Sequence, residues 1–453
     1  MDDLRNSDLR HRTSKSHKAE ATLGSAIADL SPAGRARAII AGSAGNLIEW
    51  YDYFIYAFTS LYFSAAFFPQ RDPTAQLLGT AGIFAVGFLM RPLGGWYFGR
   101  FADRRGRSSA LVVSIVMMGL ASLLIAILPT HRQIGALAPV LLLVGRMIQG
   151  FSTGGQYGTA ATYLSEVAFG ERRGFYASFQ YVTLVGGQLL AVIVVLILQE
   201  TLADEALRSY GWRIAFLLGT AGSMMILLFR HHLQETSSGV AHHPDAGRIT
   251  ALLPHWRSFL IVLGLTAGGS LMFYVFTTYM QKYLVNTAHM DPHVVNWLMT
   301  CVLLPFALLQ PLFGAMSDRI GRRNNMLLFG ALATIATVPL LKLLGNAGSP
   351  LAAALLVLCG LTINAIYTSV SGLFKAELFP VHVRALGVSL SYGIGNAVFG
   401  GTAEYVALSF KQAGHEGRFF WYVMAICFLS FVTALVMRDS RGRNSFGDID
   451  GRK

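Results

Sequence analysis

Two carboxylic acids interrupt the first long apolar stretch of the chain, in the segment Asn46-Leu-Ile-Glu-Trp-Tyr-Asp-Tyr. Glu49 and Asp52 are three positions apart, so a helix would place both on one face. An apolar surrounding and a neighbouring like charge both favour the protonated form of a carboxyl group. We therefore predict that Glu49 and Asp52 take up and release protons. The alternative is a structural pair neutralised by arginine.

Two arginines in other apolar stretches could interact with these carboxyls. Arg91 stands alone in its stretch, whereas Arg146 begins a polar series that continues with Gln149, Thr153 and Gln156. This spacing places the series on one face of a helix, which we expect to face the protein interior. The planar guanidinium group also suits two-point binding of a carboxylate. Arg91 and Arg146 are thus predicted either as counter-charges or as anchors for a small organic anion, and Gln149 and Gln156 as further ligands.

Other polar residues recur inside the apolar stretches, and we predict that they line the same binding region. They are Gln180, Gln188, Arg213, Tyr274, Asn364 and Asn396. The first half of the chain would then supply the charges, and the second half would supply mainly hydroxyl and amide groups. We accordingly expect the ion chemistry in the first half. Any single tyrosine or amide could instead serve only helix packing.

The composition indicates that membrane-spanning helices position these residues. Charged residues make up 13% of the chain and hydrophobic residues 53%, and the mean hydropathy is +0.50. The apolar stretches reach the roughly 20 residues needed to cross a bilayer. We predict an all-α membrane protein of twelve helices. They span roughly 37–65, 76–99, 108–129, 137–168, 174–200, 211–230, 256–285, 292–316, 324–345, 349–374, 385–411 and 417–438.

The positions of the basic residues predict the orientation. Most of the 36 Lys and Arg residues fall in intervals that would then face the cytoplasm, including both termini. The external loops would hold Arg71, Arg132, Arg208, Lys282, Lys411 and Arg418. The predicted layout is a disordered cytoplasmic tail at 1–35, helical halves at 36–230 and 256–438, a cytoplasmic linker at 231–255 and a tail at 439–453. The net charge of +12 is scattered between apolar stretches, which argues against nucleic-acid binding.

A repeated pattern, G-x-x-x-D-R-x-G-R, occurs at 99–107 and again at 314–322. Glycine permits close backbone approach, and the aspartate can bind an arginine or the N-terminus of a facing helix. We predict that these intervals form a cytoplasmic gate, since orientation alone would require only positive charge. The predicted gate residues are Asp103, Arg104, Arg107, Asp318, Arg319 and Arg322. A second repeated block, 166–173 and 377–384, supports two similar halves.

Four motifs resemble the metabolite:proton symporters of the major facilitator superfamily. They are Gly45-Asn-Leu-Ile-Glu-Trp-Tyr-Asp-Tyr, Phe88-Leu-Met-Arg-Pro-Leu-Gly-Gly95, Arg146-Met-Ile-Gln-Gly150 and Ala376-Glu-Leu-Phe-Pro380. The resemblance implies two six-helix halves with the substrate near the midplane between them. It also implies proton-coupled import of a dicarboxylate such as α-ketoglutarate across a bacterial inner membrane, by alternating access. The alternatives are symport of another compact acid or zwitterion (citrate, shikimate or betaine) and, less favoured, a membrane sensor that carries no flux.

The chain departs from this family pattern at two positions. Gln156 stands where the family has a glutamate, and Ala215 stands where it has a proline. The expected partners are a small organic anion, protons and the lipid bilayer, and we expect a monomer. No catalytic residue, metal or cofactor is predicted, because no nucleophile–base or metal-ligand constellation falls within the spans. The chain is therefore not expected to be an enzyme.

Overall fold

The computed structural model describes residues 32–69, 72–105, 107–167, 172–229, 249–380 and 383–437. Side chains are outside this description at 32–44, 102–111, 159–160, 162–164, 166–167 and 229. The predicted tails, residues 231–248 of the predicted linker, and the side chains of Asp103, Arg104 and Arg107 therefore lie outside the described part of the chain.

Twelve helical rods account for the regular structure of the described ranges, as predicted. In the first half they are α1 (Pro32–Phe67), α2 (Pro73–Leu89 and Arg91–Arg105), α3 (Arg107–Ile127), α4 (Leu137–Val167), α5 (Arg173–Ala177 and Phe179–Thr201) and α6 (Asp204–Ala206, Leu207–Gly211 and Trp212–Phe229). In the second half they are α7 (Ile249–His255, Trp256–Tyr274, Val275–Tyr279 and Met280–Asn286), α8 (Pro292–Ile320), α9 (Arg322–Gly345), α10 (Pro350–Thr368 and Ser371–Glu377), α11 (Arg384–Gly395, Asn396–Gly400 and Ala403–Gln412) and α12 (Glu416–Val436). Within the described residues, nine helices are long and apolar enough to span a membrane.

Several rods are broken where the candidate site residues lie. The α2 helix is interrupted at Met90, two residues before Pro92. Proline has no backbone N–H to donate to the preceding turn, and it disfavours the helical conformation of the residue before it. Wider π-helical turns interrupt α7 at Val275–Tyr279 and α11 at Asn396–Gly400. Such turns expose or redirect side chains and are frequent at functional sites. The breaks thus lie beside Arg91, Tyr274 and Asn396.

The same helix pairs pack together in each half of the molecule. In the first half α1 packs on α5, α2 on α4, and α3 on α6; in the second half α7 packs on α11, α8 on α10, and α9 on α12. The two halves meet mainly through α2 against α11 and α5 against α8. These two contacts are equivalent under exchange of the halves. The internal repeat seen in the sequence is therefore a repeat of packing as well.

The two G-x-x-x-D-R-x-G-R intervals are mostly helical rather than loops. The α2 helix continues to Arg105, and α8 continues to Ile320. The turn between α8 and α9 is made by Gly321, whose φ of 92° is a backbone conformation that favours glycine. We call the end of the bundle where both intervals lie the repeat-loop end, and the other the opposite end.

The halves touch backbone to backbone at the repeat-loop end. A Cβ atom on Gly314 of α8 would overlap the carbonyl oxygen of Gly174 in α5, and a Cβ on Gly174 would overlap the carbonyl oxygen of Gly314. At Gly99, the matching glycine of the first interval, a Cβ would meet no described atom within 4 Å. Only the second interval therefore needs its glycine for contact between the halves.

This difference supplies a matched pair of variants. Gly314→Ala forces α5 and α8 apart, and overpacking of this kind costs about 1–3 kcal/mol, so the melting temperature of the detergent-purified protein should fall by about 3 °C or more. Gly99→Ala should melt at about the temperature of the unmodified chain. Thermal unfolding of the two variants provides the measurement. Equal melting temperatures for the two variants would show that the Gly174–Gly314 contact is unimportant.

Candidate functional site between the halves

Asp52 is fully enclosed within the first half. Its Oδ1 accepts a hydrogen bond from Ser122 of α3 at 2.8 Å, and its Oδ2 accepts one from Ser223 of α6 at 3.1 Å. A Cβ on Gly219 of α6 would overlap the carboxyl group, so glycine is needed there for α6 to approach α1. Both carboxyl oxygens are thus bound by neutral hydroxyl donors rather than by a cation.

A chain of hydrogen bonds connects Asp52 to Arg146. The amide of Gln149 donates to Ser122 at 2.8 Å, and the amide oxygen of Gln149 accepts from Arg146 Nη1 at 2.6 Å. The Arg146 guanidinium stands over the rings of Tyr53 and Tyr56, at 4.6 and 4.4 Å. Arg146 is therefore not a direct counter-charge of Asp52. The polar series on α4 supplies the link, which is why Gln149 follows Arg146 by one helical turn.

Glu49 faces a different part of α4 from Asp52. The Gln156 amide lies between the Ser114 hydroxyl and the Glu49 carboxyl, and it satisfies both when its nitrogen faces Glu49 and its oxygen faces Ser114. Glu49 is 8% exposed, whereas Asp52 is 0% exposed. The two carboxyls share a helix face, as predicted from their spacing, but they bind separate partners. Gln156 stands as an uncharged neighbour of Glu49.

Arg91 is buried at the break in α2 and faces the second half. Its guanidinium lies 4.0 Å from the centre of the Phe88 ring and 4.2 Å from that of Tyr53. Tyr274 of α7 is close to it as well. None of the three guanidinium nitrogens has a hydrogen bond of acceptable geometry to a described residue. Like Arg146, Arg91 forms no direct ion pair with Glu49 or Asp52 among the described residues, although it lies within electrostatic range of Glu49.

The second half also contains buried charges, contrary to expectation. Lys282 of α7 and Glu404 of α11 form an ion pair with a 2.6 Å separation, and the two side chains are 1% and 4% exposed. Lys282 was assigned to an external loop because it lies close to the predicted end of its helix. The predicted helix reached residue 285 and the helix ends at Asn286, so the difference lies in packing, which buries Lys282 against Glu404 of α11.

Lys375 is a second buried lysine that the sequence reasoning missed. It lies in the short segment Ser371–Glu377 of α10 and is 0% exposed. Its Nζ donates to Ser371 Oγ at 2.6 Å and to Tyr157 Oη at 3.2 Å, across the interface between the halves. The predicted helix ended at residue 374, so Lys375 was counted with the flanking basic residues. The signal available was the segment 373–377, which contains no glycine or proline and could therefore continue the helix beyond residue 374.

Most of the other predicted ligands lie inside the bundle. Gln188 and Asn396 are fully buried, and neither side chain has a hydrogen-bond partner among the described residues. Asn364 donates to the Gly269 carbonyl at 3.1 Å, which leaves its oxygen unpartnered. The Gln180 amide oxygen faces Gly372 of α10, where a Cβ would overlap it. Buried polar atoms without protein partners are uncommon and mark places where a ligand can bind.

Arg213 does not join this group. Its Nη2 donates to the carbonyl oxygen of Leu128 at 2.7 Å, and its guanidinium stands 4.0 Å from the Trp212 ring. Leu128 directly follows α3, where terminal carbonyls need donors from outside the helix. Arg213 thus caps α3 near the opposite end. The sequence analysis placed Arg213 in the binding region, with the start of α6 at residue 211, whereas the helix begins at Asp204.

At the repeat-loop end, Asp318 binds the N-terminus of α5. Its two carboxyl oxygens accept from the backbone nitrogens of Gly174 and Phe175, at 2.7 and 3.1 Å. Arg322 donates to the same carboxyl at 2.9 Å. This arrangement combines the two partners that the sequence allowed, an arginine and a facing helix terminus. Arg319 is exposed and takes no part in the contact.

A different network joins the halves at the opposite end. Asn296 of α8 donates to Gln199 of α5 at 2.6 Å and to Tyr62 of α1 at 3.2 Å, and it accepts from Gln281 of α7 at 2.6 Å. Asn296 is fully buried. The sequence analysis did not predict this network, because contacts between segments that are distant along the chain leave no local pattern. The charged centre is therefore covered at both ends in this structure.

Comparisons with known proteins agree with this architecture. Residues 38–239 match the family described as sugar (and other) transporters, and residues 262–450 match the major facilitator superfamily. The chain belongs to the major facilitator superfamily, and it is a multi-pass membrane transporter.

Comparison with individual proteins shows which members of the superfamily the chain resembles. The chain is 56% identical to the alpha-ketoglutarate permease of Escherichia coli (strain K12) over 401 residues, which cover 88% of this chain and 93% of the relative. It is 34% identical to the citrate-proton symporter of Salmonella typhi, with coverages of 91% and 96%. A solved structure of the proton:xylose symporter XylE bound to 6-bromo-6-deoxy-D-glucose superposes with a TM-score of 0.72, at 17% identity and coverages of 90% and 96%. The first of these confirms the resemblance seen in the motifs, and the last shows the fold alone.

The hydrogen-bond chain from Asp52 to Arg146 can be tested by interrupting it. Gln149→Leu should lower the melting temperature of the detergent-purified protein by about 3 °C or more, because it leaves buried polar atoms without partners. Gln412→Leu changes an exposed glutamine and serves as the control. A Gln149→Leu protein as stable as the unmodified chain would show that the chain of hydrogen bonds contributes nothing to stability.

Proposed function

We propose that this chain is a proton-coupled symporter that imports α-ketoglutarate, or a similar dicarboxylate, across a bacterial inner membrane by alternating access. The observation that carries the proposal is Arg91, a buried cation at the interface of the halves whose nitrogens form no hydrogen bond of acceptable geometry to a described residue. A guanidinium in that position suits a carboxylate. The 56% identity to a permease for α-ketoglutarate supports that acid among the possible anions.

The charge of the substrate explains why protons would be needed. α-Ketoglutarate is a dianion at neutral pH, and each negative charge that moves towards a negative interior costs about 2.3 kcal/mol per 100 mV. Two protons carried with it cancel the charge, and a third makes import favourable in the membrane potential. At least one protein carboxyl must therefore change its protonation during the cycle.

Glu49 and Asp52 are the carboxyls suited to this step. Asp52 is held only by hydroxyl groups, which can donate to a carboxylate or accept from a carboxylic acid. Its protonation would alter the chain through Ser122 and Gln149 to Arg146. Glu49 lies against the neutral Gln156 amide and within electrostatic range of Arg91. The proton and anion sites are thereby connected through α4 and α2.

The two ends of the bundle would open in turn. We assign the repeat-loop end and both termini to the cytoplasm, since that end carries most of the basic residues. Asp318 and Arg322 close this end, and their counterparts Asp103, Arg104 and Arg107 belong to the same gate. The network around Asn296 closes the external end. Each monomer has halves at 36–230 and 256–438, and they rock against each other about the central site.

Counterflow in proteoliposomes tests the substrate. Proteoliposomes that contain the protein and are loaded with unlabelled α-ketoglutarate should accumulate the radiolabelled acid. Arg91→Lys should raise the Km for α-ketoglutarate about 10-fold or more, because lysine cannot bind a carboxylate at two points. Arg132→Lys, at an exposed arginine, should leave the Km unchanged. An unchanged Km in Arg91→Lys would leave Arg91 a purely structural role.

Competition in the same assay distinguishes the alternative substrates. Unlabelled citrate, shikimate or betaine should inhibit uptake of labelled α-ketoglutarate weakly. Preferential counterflow of one of these compounds would assign the chain to that substrate instead, and the absence of any flux would favour a sensor.

Asp52→Asn separates binding from proton coupling. The asparagine resembles a permanently protonated carboxyl, so counterflow should continue while accumulation driven by a pH gradient is lost. Asp204→Asn, at an exposed residue of the opposite end, is the matched control and should retain both activities. If Asp52→Asn keeps full proton-driven accumulation, Asp52 is not a coupling residue and Glu49 remains the candidate.

A further inference from the structure

Lys375 is a buried ammonium group that no carboxylate neutralises within the described part of the chain. Its only hydrogen bonds there go to the hydroxyls of Ser371 and Tyr157. An ammonium group has three donors, so one donor has no acceptor in this arrangement. Ionisable groups at membrane depth are expensive, and they are retained where function requires them.

The other buried lysine of the same half shows how the fold neutralises such a charge. Lys282 is as buried as Lys375, and it has the Glu404 carboxylate at 2.6 Å. Lys375 instead stands 4.1 Å from the centre of the Tyr392 ring, an interaction weaker than a buried ion pair. The structure therefore leaves the charge of Lys375 available to an anion from outside the protein.

Lys375 and Arg91 approach the same aromatic group from opposite halves. The ring of Tyr392 in α11 stacks on Tyr157 of α4, with 3.6 Å between ring centres. Tyr392 also lies within electrostatic range of Arg91, whose guanidinium nitrogens have no hydrogen bond of acceptable geometry to a described residue. Lys375 of α10 and Arg91 of α2 are thus both close to Tyr392.

We propose that Lys375 is the second anion-binding residue of the transporter, and that a compact dianion binds with one carboxylate on Arg91 and the other on Lys375. This inference rests on the proposed function and deepens it by assigning the second carboxylate. Two cations match a dianion in charge. A monocarboxylate would leave one cation uncompensated, and a zwitterion would bring a third positive charge into the site.

The arrangement also relates binding to closure. Arg91 belongs to the first half and Lys375 to the second, so a bound dianion is attracted to both halves at once. A dianion supplies one negative charge to each cation, whereas a monoanion supplies a charge to only one of them.

Comparison of α-ketoglutarate with 2-oxopentanoate, which has the same chain length but lacks the distal carboxylate, tests the proposal. In the full-length protein, Lys375→Gln should weaken α-ketoglutarate binding about 30-fold or more, as expected for loss of one member of a buried charge pair. Its affinity for 2-oxopentanoate should change by less than about 3-fold. Lys375→Arg should retain the preference for the dianion. Equal losses for both acids, or no loss for either, would overturn the proposal.

Thermal unfolding without ligand separates this role from a structural one. Lys375→Gln removes a buried charge that lacks a counter-ion, so its melting temperature should equal or exceed that of the unmodified chain. α-Ketoglutarate should no longer raise it. Lys342→Gln, at an exposed lysine, is the control and should keep the full ligand-induced rise. A lower melting temperature in Lys375→Gln, or failure of both Lys375→Gln and Lys375→Met to fold, would show that the ammonium serves the fold and would overturn the proposal.

The proposed substrate and the role of Lys375 can fail separately. If the unmodified protein does not bind α-ketoglutarate but binds another dicarboxylate, such as succinate or malate, the proposed substrate is wrong. The same comparison with butyrate, the monocarboxylate analogue of succinate, then tests Lys375. If the unmodified protein prefers no dicarboxylate over its monocarboxylate analogue, the two-cation site is wrong as well.

Discussion

The free-energy penalty for an ionised side chain inside a membrane-spanning bundle is the constraint on which this structure depends. The protein meets it in three ways. Lys282 has a carboxylate partner, Asp52 has two hydroxyl donors, and Arg91 and Lys375 have aromatic faces. These arrangements compensate charge to different degrees, since an ion pair neutralises a charge and an aromatic ring only stabilises it. The incompletely compensated groups are the ones with free energy to gain from a ligand or a proton.

The buried charges that hold a half together lie in different places from the buried charges at the interface of the halves. The pair Lys282–Glu404 joins two helices of one half, and the contacts of Asp52 join three helices of the other. Both therefore hold a half together. Arg91 and Lys375, by contrast, lie where the halves meet. Charges that are satisfied within each half, and less fully compensated where the halves meet, are the distribution that the proposed alternating access would require.

The sequence predicted the helices, the repeat and the charges of the first half, because these depend on composition and spacing within one segment. It did not predict which helices would bring charges together. Lys282 and Lys375 lie near the predicted helix ends at 285 and 374, and apolar periodicity within one segment could not show that contacts with α11 and α4 would bury them. Asp318 shows the opposite case. Its possible partners were predictable from chemistry, but the choice of the α5 terminus depended on the close approach at Gly174.

The two ends of the bundle are closed by different chemistry, and this bears on how the central site could control them. At the repeat-loop end a carboxylate binds backbone donors and an arginine, which makes charge-assisted hydrogen bonds. At the opposite end the buried contacts of Asn296 are between neutral groups, and these are weaker individually. In the proposed cycle, a dianion bound to Arg91 of one half and to Lys375 of the other would favour closure of the halves around it. The end whose contacts are individually weaker, the opposite end, would then be the one that responds to binding.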